Sequence, residues 1–272
     1  MRDIWAPEAK IVFERKLWLA VLRAQRDVGR DFGGANADEV IAAYERVSDQ
    51  VDFGSFDARE RITRHDVKAR IEEFNDLAGF EHIHKGMTSR DLTENIEQLQ
   101  VLDALRAIRV RVVATLAQLA RLATRYSDQP LTGRSHNVAA QLTTLGKRFA
   151  TAADELLVGL ARLDDLIARY PARGIKGPVG TAQDMLDLLG GDADKLAELE
   201  QRIADELGFG AVLTSTGQVY PRSLDYDAVT ALAQISAAPS NVATTIRLMA
   251  GLELVTEGFK EGQVGSSAMP HK

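Results

Sequence analysis

Chemistry that moves protons and binds anions needs imidazoles, hydroxyls and fixed cations close together, and this chain groups them in a few short segments. Thr63-Arg64-His65-Asp66 joins a guanidinium, an imidazole and a carboxylate, so Arg64 supplies fixed charge and Asp66 is available to orient the ring of His65. His84 precedes Lys85-Gly86-Met87-Thr88-Ser89, a cation, a glycine and two hydroxyls just ahead of a helical pattern. Hydroxyls and backbone N–H groups at a helix start favour negative charge, so this stretch reads as an anion cradle. Taken alone, a plain helix cap by Thr88, Ser89 or Asp91 is the favoured reading. His136 lies in Gly133-Arg134-Ser135-His136, where an imidazole that titrates near neutrality can donate or accept a proton; the competing reading is a capping loop. The last segment, Gly265-Ser266-Ser267-Ala268-Met269-Pro270-His271-Lys272, places two serines after a glycine and a cation behind them. It suggests a mobile loop with hydroxyls at its tip, against the alternative of a polar tail.

Metal chemistry finds no support in the spacing. His82 and His84 are two apart, so on a helix they point away from one another, and no third ligand follows at a useful distance. Gly177-Pro178-Val179-Gly180-Thr181 matches neither a nucleoside-triphosphate loop nor a dinucleotide fingerprint. The expectation is no metal and no organic cofactor.

These segments must be held by helices. Between Glu94 and Tyr126, apolar residues at Ile96, Leu99, Leu102, Leu105, Ile108, Val112, Leu116, Leu119 and Leu122 keep three-to-four spacing, which predicts one long amphipathic helix. A second run links Leu142, Leu145, Phe149, Leu156, Leu160, Leu163 and Ile167, and a third extends from near Leu224 to about Phe259. Pro239 falls inside the third and is expected to kink or split it, because proline lacks the ladder N–H. Shorter patterns at Ile11 to Ala24, Ala37 to Val47 and Val67 to Leu77 precede them. Turn formers gather at Ser127 to Asn137, Ala172 to Gln183 and Gly208 to Arg222, which read as irregular loops placed by a rigid scaffold. The fold class is therefore all-α: an elongated bundle of long helices over residues 94–272 with a small helical domain at 1–93.

Composition bounds the rest. With 272 residues, 45% of them hydrophobic, the chain can bury a substantial core. Its apolar runs are too interrupted for the roughly 20 residues of a membrane span. There is no cysteine, which excludes disulfides and thiolate metal sites and makes a cytoplasmic location the default expectation. The 33 basic residues are dispersed among 39 acidic ones, so no basic face offers itself to nucleic acid.

The closing segment resembles the Gly-Ser-Ser-x-Met-Pro-x-Lys signature of the fumarase/aspartase superfamily. Thr63 to Val67, His84-x-Gly86-x-Thr88-Ser89-x-Asp91 and Thr216-Gly217-Gln218-Val219-Tyr220-Pro221-Arg222 resemble its branch that releases fumarate from a succinylated purine nucleotide. The resemblance implies a homotetramer cored by the long helices, with active sites where subunits meet. It implies His136 as the acid that protonates the leaving nitrogen and Ser266 as the base. It further implies Arg64, His65, Asp66, His84, Thr88, Ser89, Gln218 and Lys272 as substrate-binding groups. Argininosuccinate lyase and the carboxymuconate-cyclising enzyme are the nearest alternatives, and the Arg64-His65-Asp66 and Gln218 segments argue against both. A non-catalytic helical assembly module is the reading from a different class. Because the superfamily signature continues past its lysine and an early Arg-Tyr pair is not found before Ile4, the chain is expected to be a fragment.

Overall fold

A computed structural model describes residues 1–256 and 258–269. In chain order its elements are α1 (Arg2–Trp5), α2 (Pro7–Asp27), α3 (Ala37–Arg46), α4 (Phe53–Thr63), α5 (Asp66–Ala78) and α6 (Ser89–Arg125). The hairpin β1 (Pro130–Ser135) and β2 (Val138–Thr144) follows, then α7 (Leu145–Arg169), β3 (Pro171–Ala172), α8 (Gln183–Leu188), α9 (Ala193–Leu207), β4 (Ala211–Val212) and α10 (Ser223–Gly251). Helix dominates, as the all-α expectation requires. No helix among the described residues is long and apolar enough to cross a membrane.

The chain divides into two compact units. Unit 1 is Met1–Arg109 with Leu163–Val229, and unit 2 is Val110–Arg162 with Thr230–Lys272. Each of the long helices α6, α7 and α10 contributes residues to both. The expected boundary at 93/94 falls inside unit 1, in the first turns of α6, because the long helices are shared between units rather than confined to one.

In unit 1, α2 forms the spine. Pro7 starts it at a position where the missing N–H is no loss. Leu17, Trp18 and Leu22 are fully buried, each contributing about 1.5–3 kcal/mol by leaving water. Trp18 and Tyr44 both pack against Phe74. Helix α9 lies along α2, and Arg202 pairs with Asp27 at 3.2 Å beside the Arg23–Glu206 pair. Side chains start the helices: Asn36 caps α3, Asp52 caps α4, His65 caps α5 and Asp192 caps α9. β3 and β4 pair in parallel, Pro171 opposite Ala211 and Ala172 opposite Val212.

Unit 2 holds the hairpin. β1 and β2 run antiparallel from Pro130↔Thr144 to Ser135↔Val138, with a register shift between Thr132 and Arg134. This corrects the expectation of an irregular loop at 127–137: the alternation in Val138–Thr144 faces solvent on both sides, so no apolar period announces it. Leu142 belongs to β2, and α7 begins at Leu145. Helix α10 continues through Pro239, so the expected split does not occur, and it ends at Gly251 rather than near Phe259. Proline costs about 3 kcal/mol in a helix interior, which the packing of this helix absorbs. Gly159 of α7 leaves room for the Ile235 backbone of α10, and Asn241 donates to Glu155 at 2.9 Å.

The most connected buried cation of α2 is Arg15. Its guanidinium donates to the carbonyls of Val47 (3.0 Å) and Gln50 (2.8 Å) and to Glu73 (2.7 Å), and it stacks over Phe74. Arg15→Met strands Glu73 and unties the 47–50 turn. Urea unfolding of this variant should show a loss of about 3–5 kcal/mol, while the exposed Arg46→Met stays within about 0.5 kcal/mol of the parent.

Candidate active site

Unit 1 brings the residues of two sequence segments into contact. Arg64 ends α4 with a left-handed backbone (φ 51°), and the chain turns there into His65, the N-cap of α5. The His65 Nδ1 accepts the Lys68 N–H at 3.2 Å, which leaves Nε2 facing Ser89 Oγ at 3.5 Å. Asp66 Oδ2 accepts from Arg70 at 2.9 Å, while its other oxygen stands 3.8 Å from His65 Nδ1. Burial works against ionisation of Asp66, but the Val67 N–H and the Arg70 guanidinium outweigh it and hold the carboxyl below its ordinary value.

His84 is the more enclosed imidazole. It too has a left-handed backbone (φ 63°), rare for a residue with a side chain. Its Nδ1 accepts the Trp18 indole N–H at 3.1 Å. Burial drives its pKa down to about 4, assisted by the nearby positive charge of His65 and Lys68. At neutral pH the ring is uncharged, with Nδ1 occupied and Nε2 carrying the proton.

Thr88 and Ser89 open α6, and Asp91 supplies the cap read in that segment. One carboxylate oxygen reaches back to the Thr88 N–H at 2.8 Å, a cap. The other accepts from the Arg173 guanidinium and from the N–H groups of Lys176 (2.9 Å) and Gly177 (3.0 Å). Asp91 and Arg173 are both fully buried. Arg173 also donates to the Gly177 and Gly217 carbonyls, each at 2.9 Å, which fixes the strand of chain carrying Gln218. Thr216 Oγ1 donates to the Val219 carbonyl at 3.0 Å, and the Tyr220 N–H donates to Glu94 at 3.0 Å. Gln218 itself is exposed between these anchors. Gly180 (φ 87°) must stay a glycine, because a Cβ there would overlap the Thr216 carbonyl. The Asp91–Arg173 pair was not among the expected site residues. Asp91 stood only as a cap, and nothing in the sequence around Arg173 marks its partner 82 positions away.

Two of the expected residues that the structure describes, His136 and Ser266, belong to unit 2. His136 and Asn137 are the turn of the β1–β2 hairpin, both with positive φ (50° and 63°), as a two-residue turn of this hand requires. Arg134 donates to the Asn137 carbonyl at 2.8 Å and braces the turn. A hollow of about 300 Å³ opens beside it, lined by His136, Arg134, Arg148 and the apolar Leu248 and Met249 among others. Ser266 Oγ accepts the N–H groups of Ala268 (3.3 Å) and Met269 (3.2 Å). Lys272 lies outside the described residues. Among the described residues, no group of three or more His, Asp or Glu side chains is placed to hold a metal ion.

The sequence and the helical architecture match a known family of enzymes. A profile of the lyase family covers residues 3–272, and the chain belongs to that family, within the fumarase/aspartase superfamily. It is 36% identical over 260 residues to the adenylosuccinate lyase of Saccharomyces cerevisiae, covering 95% of this chain and 54% of the yeast protein. To the adenylosuccinate lyase of Schistosoma mansoni it is 34% identical over 269 residues, covering 97% and 55%. Among solved structures, a fumarate lyase from Mesorhizobium sp. BNC1 superposes with a TM-score of 0.77 at 23% identity, over 93% of this chain and 58% of that one. The 3-carboxy-cis,cis-muconate lactonizing enzyme of Pseudomonas putida superposes at 0.79 with 21% identity, over 100% and 60%, a likeness of fold alone. The chain spans little more than half the length of the curated relatives it matches.

The neutral state of His84 has a measurable cost. Its folded pKa lies below the unfolded value of 6.5, so the unfolded chain binds more protons between the two. The stability it contributes is complete above pH 6.5 and is lost as pH falls towards 4, by roughly 3 kcal/mol. Burial lifts Glu14 in the opposite direction, to about 7, so the effect is to be read as a difference. Wild type minus His84→Gln in urea unfolding should slope upward from pH 4 to 6.5; a flat difference would place the His84 ring in water.

Proposed function

We propose that this chain is the substrate-binding and catalytic part of an adenylosuccinate lyase, eliminating fumarate from adenylosuccinate to give AMP and from SAICAR to give AICAR. The observation that carries the reading is the meeting of His65 with Ser89, next to the half-buried, neutral His84. The segments holding them are those that match the purine-nucleotide branch, and the curated relatives above share that activity by name.

The chemistry demands three things. A proton must leave the carbon beside a carboxylate, the resulting doubly charged carboxylate must be stabilised, and the leaving nitrogen must be protonated. Ser266 is the proposed base. A serine is a poor base at its free pKa, and the two N–H groups already aimed at Ser266 Oγ are the kind of donor that stabilises an alkoxide. His136 is the proposed acid, carried at the tip of a braced hairpin. Thr88, Ser89 and Lys272 are suited to the succinyl carboxylates, while Arg64, His65, Asp66 and Gln218 are suited to the rest of the nucleotide. Being neutral, His84 offers a hydrogen bond from Nε2 rather than a charge. No metal and no organic cofactor enter this scheme, and neither nucleic acid nor a membrane is a partner in it.

The proposed assembly is a cytoplasmic homotetramer with shared sites. Unit 2 leaves Val110, Val113, Leu157, Val158 and Leu248 exposed, an apolar surface suited to subunits of the same kind. Light scattering on the full chain should report a tetramer, and a monomer that keeps full helicity on dilution would count against it.

Activity is tested directly by fumarate release. In the full chain, Ser266→Ala should lower kcat by a factor of about 10³ or more while equilibrium substrate binding survives, and Ser267→Ala should be milder. His136→Ala should likewise act on turnover more than on binding. Normal turnover in Ser266→Ala would remove the serine base, and no fumarate from the parent chain with either nucleotide would remove the function.

A further inference from the structure

Behind His65 stands a chain of charged groups of which the mechanism uses only Asp66. Glu14 of α2 is fully buried, and its carboxylate meets Arg70 Nε at 2.7 Å, off the hydrogen-bond line, so the contact is an ion pair. Arg70 of α5 then donates through Nη2 to Asp66 Oδ2 at 2.9 Å. Lys10 is the other cation facing Glu14, and Asp66 the other anion. Asp66 also neighbours His65, yet at 3.8 Å it is too far to accept a hydrogen bond from the ring.

The ring's own partners decide its tautomer. Nδ1 accepts the Lys68 N–H, so in the neutral ring Nδ1 is bare and the proton is on Nε2, pointing at Ser89. A carboxylate beside a histidine usually does the opposite, drawing the proton to the nearer nitrogen. Here it would compete with the helix N-terminus for Nδ1. We propose that Arg70, anchored on Glu14, is a positioning residue that holds the Asp66 carboxylate away from His65, leaving Nδ1 to the Lys68 N–H and the ring proton on Nε2 opposite Ser89. The assignment reverses the simple expectation from the Arg64-His65-Asp66 sequence, in which Asp66 orients the imidazole. Its catalytic consequence rests on the function proposed above; the tautomer does not.

The experiment is a two-bond proton–nitrogen correlation spectrum of the full chain labelled with ¹⁵N in its histidine rings, which distinguishes the two neutral tautomers without substrate. Wild type should show His65 protonated on Nε2. Arg70→Met should make the Nδ1–H form the major one and lower kcat/KM for fumarate release by about tenfold. Glu14→Gln should move the same population part of the way. Asp66→Ala alone should leave the proton on Nε2, and Arg70→Met with Asp66→Ala should return it there. A shift to Nδ1–H in Asp66→Ala by itself, or no shift in a folded Arg70→Met, overturns the proposal, and an unmoved Glu14→Gln removes the anchor. The Asp66→Ala arm decides even where Arg70→Met fails to fold. A parent chain inactive on both nucleotides but with the expected spectra would sink the functional reading and leave this one standing.

Discussion

The candidate site of unit 1 depends on one buried ion pair. Asp91 and Arg173 are both closed off from water, and taking two such charges out of water costs several kcal/mol each unless every remaining donor and acceptor is met. Here they are met by backbone: Asp91 takes the N–H groups of Thr88, Lys176 and Gly177, and Arg173 reaches the carbonyls of Gly177 and Gly217. Each of those bonds ends on a loop rather than a helix. The start of α6, the 173–177 turn and the 216–220 stretch would otherwise be free to drift, and through the pair they share one point of reference. A hydrophobic pair of equal volume could fill the same space, but it could not address these backbone groups individually. The gain is in definition of the loops more than in stability.

The histidines show how burial assigns different work to the same side chain. His84, enclosed beside Trp18, is neutral in the physiological range. His65, at the exposed start of α5, has its acceptor nitrogen consumed by the helix it caps. Both present an Nε2–H, by separate means, one through an indole donor and the other through a backbone donor. Neither arrangement needs a carboxylate to orient the ring, which is unusual for histidines in a polar cluster.

Much of the scaffold was legible in the sequence because its helices carry continuous apolar stripes. The spacing from Ile96 to Leu122 lies within α6, and the run from Leu145 to Ile167 lies within α7. Helix α4 was not expected, since Phe56 is its one buried residue and a single apolar position makes no period. The hairpin at 130–144 was missed for a related reason: β2 faces solvent along most of its length, so alternation has nothing to report. Helix α9 does carry a stripe, at Leu199, Ile203 and Leu207, with Asp192 capping its start. The site's short motifs were visible as clusters of residue types, and the contact between His65 and Ser89 joins two of them. What tied them together was invisible, because a lone Arg173 in a glycine-rich stretch has no spacing relation to Asp91 that any local pattern could express.

Arg64, His84 and His136 share a backbone feature with broader meaning: each sits at positive φ, where glycine is the residue of least strain. A stability-driven redesign of this chain, scoring each position by how well a residue suits its backbone, would favour glycine at all three and would gain a little folding free energy at each. It would thereby erase a guanidinium and two imidazoles from the segments where they are grouped. Variants selected for thermal tolerance are therefore the wrong population in which to look for improved turnover, and these three positions are the ones to hold fixed in any library built on this scaffold.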